Sequence, residues 1–134
     1  MKNGQGATEL LIILGLGLTV LLIILQFSSS SLFSYSSSFS ENQVQDTLET
    51  LKQNGELVYQ QGNGAKTRAY ITLPDAIQSI NVSGRTLKVI FFNNNTIYRN
   101  FDFNITGNLS SQAGGYWVNI ESVQGQVVFS PQVV

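Results

Sequence analysis

The chain has 134 residues, a formal net charge of −1 and only 11% charged residues. The chain therefore lacks the excess of basic residues that is typical of nucleic-acid-binding proteins. Neither cysteine nor histidine occurs, which excludes disulfide bonds and argues against zinc sites, copper sites and histidine-based catalysis. The length suits one long helix followed by one small domain.

The N-terminal segment joins a short basic leader to a long apolar run. Lys2 supplies the positive charge, and Leu10–Leu25 contains no charged residue. As a helix this run is about 24 Å long, and Gly6–Phe27 is about 33 Å long, which is enough to cross a bilayer. A carboxylate at the mouth of such a helix is costly unless a partner neutralises it. Glu9 is therefore the residue here that most needs a functional explanation.

Gly4-Gln5, with Glu9 four residues after Gln5 and the apolar run directly behind, resembles the class III signal peptide of archaeal type IV pilins. In that family a prepilin peptidase cuts between this Gly and this Gln, so residues 1–4 are expected to be removed as a leader. The family usually has Ser where this chain has Ala7.

The resemblance implies a helical filament on the cell surface that serves adhesion, with copies of the chain as its partners. The precursor is expected in the cytoplasmic membrane. Membrane peptidase, assembly ATPase and platform protein are implied as transient partners.

Leader removal would give Gln5 a free amine with a pKa of about 8. In an apolar bundle of helices, a pair between this amine and Glu9 of a neighbouring subunit would neutralise both charges and set the axial stagger. Glu9 is also expected in the first helical turn, where the helix dipole favours a carboxylate. The alternative is that Glu9 is only a helix-start carboxylate of a membrane anchor. Gly15 and Thr19 have the spacing of a close helix contact, or reflect ordinary variation within a membrane span.

A serine-rich stretch, Ser28–Ser40, follows the apolar run and contains nine serines but no Pro or Gly. Leu32, Tyr35 and Phe39 fall at i, i+3 and i+7, which predicts a continuation of the helix. A flexible stem is the alternative.

Glu41–Asn54 has the pattern of an amphipathic helix. One face carries Val44, Leu48 and Leu51. Asn54-Gly55 is a helix-stop signal. One helix is therefore predicted from about Gly6 to Gln53, with its C-terminal part covered by a head domain.

From Leu57 onwards the apolar period changes to two, which predicts β-strands. The predicted strands are Thr67–Leu73, a strand around Ile80 and Val82, a central Thr86–Phe92, an alternating run from Ile97 to Ile105, and a final hairpin of Tyr116–Val123 and Gln126–Phe129. Turns are predicted at Ser83-Gly84-Arg85, Asn93-Asn94-Asn95 and Gln124-Gly125.

These elements predict an α+β fold: a long N-terminal helix and a C-terminal antiparallel sheet or small sandwich whose apolar face covers the helix. The predicted organisation is a leader at 1–4, a long helix at 5–54 and a β-rich head at 55–134. The phrase LPDAIQSINVSGRTLKV in the head also resembles the head-domain openings of archaeal pilin-like proteins.

Four Asn-x-Ser/Thr acceptors occur in the head, at Asn81, Asn94, Asn104 and Asn108. All four are expected to face water, and we expect at least two to carry glycans. The alternative is that they are neutral polar surface. Tyr116 and Trp117 are considered as an exposed patch for a surface or glycan, against the alternative of core or subunit contacts.

No enzyme signature is found, and no catalytic residue, metal site or cofactor is predicted. Three function classes remain open: a structural subunit of a type IV pilus-like filament, a secreted binding domain released by ordinary cleavage near Ser28-Ser29-Ser30, and a single-pass surface protein that never polymerises.

Overall fold

The computed structural model describes residues 2–132. A helix, α1 (Lys2–Gln61), is followed by seven described strands, so the α+β fold predicted from the sequence is confirmed. The chain divides into two compact units, Met1–Phe39 and Ser40–Val134. Met1, the first residue of the predicted leader, lies outside the described residues.

The strands form two sheets within the second unit. Their bounds are β1 (Lys66–Leu73), β2 (Ile77–Ser83), β3 (Thr86–Phe91), β4 (Thr96–Asn100), β5 (Asn104–Gly107), β6 (Gly114–Val123) and β7 (Gln126–Pro131). The first sheet has the order β1-β6-β7-β5, and the second has the order β2-β3-β4. β3 is therefore central in its sheet, as its nearly continuous apolar sequence predicts.

The three turns predicted from the sequence join pairs of antiparallel strands. β2 and β3 pair from Ile77↔Phe91 to Ser83↔Thr86, and Gly84 between them has φ +60°. In the turn between β3 and β4, Asn94 has φ 65°, a left-handed conformation that Asn tolerates better than most residues. β6 and β7 pair across Gln124-Gly125.

The alternating run from Ile97 to Ile105 is not one strand, contrary to the simplest reading of its period. It divides into β4 in the second sheet and β5 in the first. Phe101 and Phe103, in the crossing between the sheets, are both buried, so the alternation continues although the pairing partner changes. Periodicity indicates which side chains face the core but not which strand lies alongside. The change from one sheet to the other therefore could not be predicted from the alternation.

β5 lies parallel to β7, which is the exception in an otherwise antiparallel head. The segment after β5 passes the end of β7 and enters β6, which is antiparallel to β7. β5 and β6 thus lie on opposite sides of β7 and run in opposite directions, with β5 parallel to β7 and β6 antiparallel to it.

The core of the second unit is formed by α1 and the inner faces of both sheets. From α1 come Val44, Leu48, Leu51 and Val58, each with at most 2% of its surface exposed. The predicted apolar face of the helix is therefore confirmed, and each such side chain contributes roughly 1.5–3 kcal/mol on burial. Thr47 in the same helix donates from Oγ1 to the carbonyl of Thr72, at 3.0 Å.

Arg99 breaks the apolar pattern of β4 because it reaches the helix. Its Nη2 lies 3.4 Å from Oε2 of Glu49. Its Nε is buried without a hydrogen-bond partner among the described residues. The pair is partly exposed, so it contributes at most about 1 kcal/mol and serves mainly to keep the arginine charge from lying unpaired.

The helix does not stop at Asn54-Gly55 as predicted, but continues to Gln61. Gly55 is buried, and a Cβ built on it would lie 3.2 Å from Cζ of Phe103 and 3.7 Å from Cζ of Phe129. The glycine therefore allows two aromatic rings to approach the helix closely. The chain leaves the helix at Gly62 instead, where φ is +94° and the amide donates to the carbonyl of Val58 at 3.2 Å.

We expect Gly55→Leu to destabilise the head by about 1–3 kcal/mol, because the new side chain must displace the ring of Phe103 in a filled core. Trp117 is the single tryptophan, so its fluorescence reports head unfolding in a urea titration of the full chain in detergent. Gln53→Leu is the matched control, since Gln53 is an exposed position of the same helix. Equal midpoints for the two variants would show that Gly55 is not required for close packing.

Candidate functional site

The residues that carry the leader resemblance lie within α1. The helix begins at Lys2 rather than near the predicted Gly6, so the peptide bond between Gly4 and Gln5 is helical. The Thr8 hydroxyl donates to the carbonyl of Gly4, at 2.9 Å. Cleavage between Gly4 and Gln5 would require this turn to open. The two glycines on either side of Gln5 each lower helix stability by about 1 kcal/mol, and helix ends fray readily.

Glu9 is not in the first turn of the uncut helix, which contains no acidic residue. The predicted interaction with the helix dipole is therefore wrong for the chain that includes residues 2–4, because the dipole acts within the first turn. In a chain that starts at Gln5, Glu9 would be four residues from the new amine and on the same helix face. Its side chain is exposed in the structure.

The first unit presents an apolar surface that nothing in the described chain covers. All side chains from 3 to 32 are exposed, and the large apolar ones from Leu10 to Phe27 have 47–72% of their surface accessible. This is far more contiguous apolar surface than a monomer leaves in water. In the described residues, α1 is long and apolar enough to cross a membrane. A membrane anchor or a signal segment is compatible with this surface.

The serine-rich stretch is helical, which resolves the choice between helix and flexible stem. Its hydroxyls bond to carbonyls of the preceding helical turn: Ser29 to Leu25, Ser30 to Phe27, Ser34 to Ser30 and Ser37 to Ser34, at 2.9–3.2 Å. Thr19 likewise donates to the carbonyl of Gly15, at 2.8 Å. Because these hydroxyls are satisfied within their own helix, they can enter an apolar environment at little cost.

The four glycosylation acceptors are all exposed. Asn81 lies on β2, Asn94 in the turn between β3 and β4, Asn104 on β5 and Asn108 directly after β5. The Oδ1 atom of Asn104 accepts from Nε of Arg85 at 3.3 Å. This bond leaves the amide nitrogen, the atom to which a glycan attaches, unoccupied by that contact.

Tyr116 and Trp117 do not form one patch, because neighbouring residues of a strand face opposite ways. Tyr116 is partly buried and donates from its hydroxyl to the carbonyl of Ser110, at 2.7 Å. Burial raises the pKa of Tyr116 to about 12. Trp117 faces solvent beside Tyr70 and Arg68, which the sequence did not single out. The alternation of β1, combined with its register against β6, could have identified them.

A scan against protein-family models finds no match to this sequence. Searches of curated proteins and of solved structures also find no match.

We expect the chain purified from the cells that make it to be heavier than its polypeptide, because at least two of the four exposed acceptors carry glycans. Replacing all four asparagines by Gln should return the mass to that of the bare chain. Asn42→Gln, an exposed asparagine outside any acceptor triplet, should leave the added mass unchanged. An intact mass equal to the bare polypeptide in the unmutated chain would contradict the prediction.

Proposed function

We propose that this chain is a structural subunit of an extracellular type IV pilus-like filament of the archaeal class, and that the filament serves adhesion. One observation carries the proposal: Gly4-Gln5 and Glu9 stand directly before a helical segment whose side chains are all exposed and almost all apolar. A membrane anchor alone explains the apolar surface. It does not explain why a carboxylate, Glu9, follows the Gln of a Gly4-Gln5 bond by four residues.

Assembly follows from the need to cover this surface. Before processing, lipid covers the apolar segment, and the leader keeps Lys2 at the membrane surface. After processing, the same segments from many subunits cover one another in a filament core. Lipid tails and leucine side chains are similarly apolar, so transfer between the two environments is not driven by hydrophobicity. Specific packing and charge pairing must supply the preference for the bundle.

Glu9 supplies the charge pairing. A lone carboxylate in an apolar bundle is strongly unfavourable, whereas a carboxylate paired with the amine of Gln5 is neutralised. The amine exists only after the leader has been removed, which links assembly to processing. If the pair forms between subunits, it also selects one axial offset among the many that smooth apolar helices permit.

The serine-rich stretch supports close packing farther along the helix. Serine side chains are small, and small residues let neighbouring backbones approach. The hydroxyls already bonded within the helix, such as those of Ser29 and Ser34, bring no unsatisfied polar group into the contact. Leu32, Tyr35 and Phe39 add an exposed apolar stripe to the same stretch.

We expect the mature chain sheared from the cell surface to begin at Gln5, as the free amine or in its cyclised form. N-terminal peptide mass spectrometry measures this directly. A start near Ser31 would instead identify conventional secretion of a binding domain, and a retained Met1 on a chain that is monomeric in detergent would identify a non-polymerising anchor. Either result would overturn the proposal.

We expect Glu9→Ala to reduce surface filaments at least tenfold while the chain is still made and still inserted in the membrane, because the amine of Gln5 then lacks its partner. Electron microscopy and the shearable fraction of the protein measure the loss. Asp75→Ala is the matched control, since it removes an exposed carboxylate from the head. Unchanged filaments in Glu9→Ala would count decisively against the charge pair.

A further inference from the structure

Two aromatic side chains lie side by side on the outer face of the first sheet. Tyr70 of β1 and Trp117 of β6 are direct cross-strand partners. Their ring centroids are 5.3 Å apart in an edge-to-face arrangement, and the residues are 54% and 46% exposed. Large aromatic residues usually bury more of their surface than this, so the pair is a platform whose ring surface is available to a ligand.

Gly115 makes the platform possible. A Cβ at this position would overlap the phenol group of Tyr70, so any other residue would force the ring to move. Gly115 has no positive φ that would demand a glycine for backbone reasons. The missing side chain therefore leaves room for the Tyr70 ring to lie over Gly115 and beside Trp117.

A cation without a carboxylate partner flanks the platform. The guanidinium of Arg68 lies 5.8 Å from the centroid of the Trp117 ring. Among the described residues, the side chain of Arg68 makes no hydrogen bond or ion pair, whereas neighbouring Lys66 is paired with Glu121 at 3.1 Å. The ring contact orients the guanidinium while its N–H groups remain available for a planar anion.

A groove of about 450 Å³ lies beside this cation, lined by Arg68, Asn119 and Ser130 together with the Lys66–Glu121 pair. An amide and a hydroxyl are the groups that hydrogen-bond ligand hydroxyls. The outer face thus combines ring surface, one unpaired positive charge and neutral polar groups within three adjacent strands.

We propose that this face, formed by Arg68, Tyr70 and Trp117 with the adjoining groove, binds an acidic polysaccharide through its carboxylated sugar units. A sugar ring has one face of C–H groups that packs on an aromatic ring, and hydroxyls that bond to Asn119 and Ser130. The guanidinium of Arg68 binds the carboxylate through two parallel hydrogen bonds. A neutral polysaccharide would leave the cation unused, and a small anion would leave the rings unused. The acidic polysaccharide would be the ligand for the adhesion in the proposed function, and in this respect the proposal rests on that function.

The test uses the full chain in detergent, which does not need to polymerise, with polygalacturonate as the probe. Its methyl ester is the matched neutral probe, and dextran sulfate is the probe for charge alone. We expect the chain to bind polygalacturonate, and to bind the methyl ester with an affinity at least tenfold lower. Arg68→Gln and Trp117→Ala should each weaken binding about tenfold, and Arg68→Lys should restore only part of it because an ammonium group lacks the planar fork.

The second sheet offers a matched control. Lys88 lies over the ring of Tyr98 at 5.6 Å, which is a similar contact without a second aromatic ring. Lys88→Gln should leave binding unchanged. Urea midpoints of the variants exclude unfolding as the cause, and for Trp117→Ala circular dichroism replaces fluorescence. Arg68→Gln provides a second test outside the core, since Arg68 is exposed.

Three results would overturn the proposal. No binding to polygalacturonate is one. Another is an affinity for dextran sulfate equal to that for polygalacturonate and unchanged in Trp117→Ala. This result would show unspecific attraction between charges. Loss of filaments in Arg68→Gln, with polysaccharide binding intact, would assign the face to a contact between copies of the chain. Because the N-terminus and filaments are measured separately, failure of this inference is distinguishable from failure of the proposed function.

Discussion

The exposed apolar surface of α1 between Leu10 and Leu25 is the constraint to which the other features of the chain respond. At roughly 1.5–3 kcal/mol for each large apolar side chain left in water, this surface requires a permanent cover. The described part of the chain provides none, because its sheets pack on a different part of the same helix. In the proposed function, lipid and then other copies of the segment supply this cover. A single carboxylate in that setting would have consequences that it would not have on a helix in water.

The same helix changes chemistry along its length. Beyond Phe39, one face carries the core residues Val44, Leu48, Leu51 and Val58, and the other faces carry Glu, Gln, Asp and Lys. The apolar part has exposed apolar side chains on all sides, whereas the amphipathic part buries one face against the strands of the head. Among the described residues of α1, the buried ones all lie beyond Phe39, and the division of the chain into two units accordingly falls within this helix.

Periodicity predicted most of the fold, since it reports burial directly: the helix face at Val44, the strands and the hairpin turns all follow from it. It failed where a residue acts through a contact distant in sequence. Asn54-Gly55 has the chemistry of a helix stop, but the rings of Phe103 and Phe129 require a glycine within the helix. The crossing at Phe101 and Phe103 keeps the alternation while changing sheets. The outer-face platform was missed for a related reason, because Tyr70 and Trp117 meet only through the register of β1 against β6.

The low charge of the chain bears on how such a platform could function. With seven basic and eight acidic residues, several of them already paired with one another, the head has little long-range field to attract a ligand. Recognition must then depend on contact at short range, by ring packing and a bidentate guanidinium, and a single shallow site of this kind binds weakly. A filament that repeats the site at every subunit would convert weak contacts into firm attachment, because each further contact forms at a high effective concentration. In the proposed filament, polymerisation through the apolar helix and modest affinity in the head would therefore complement each other.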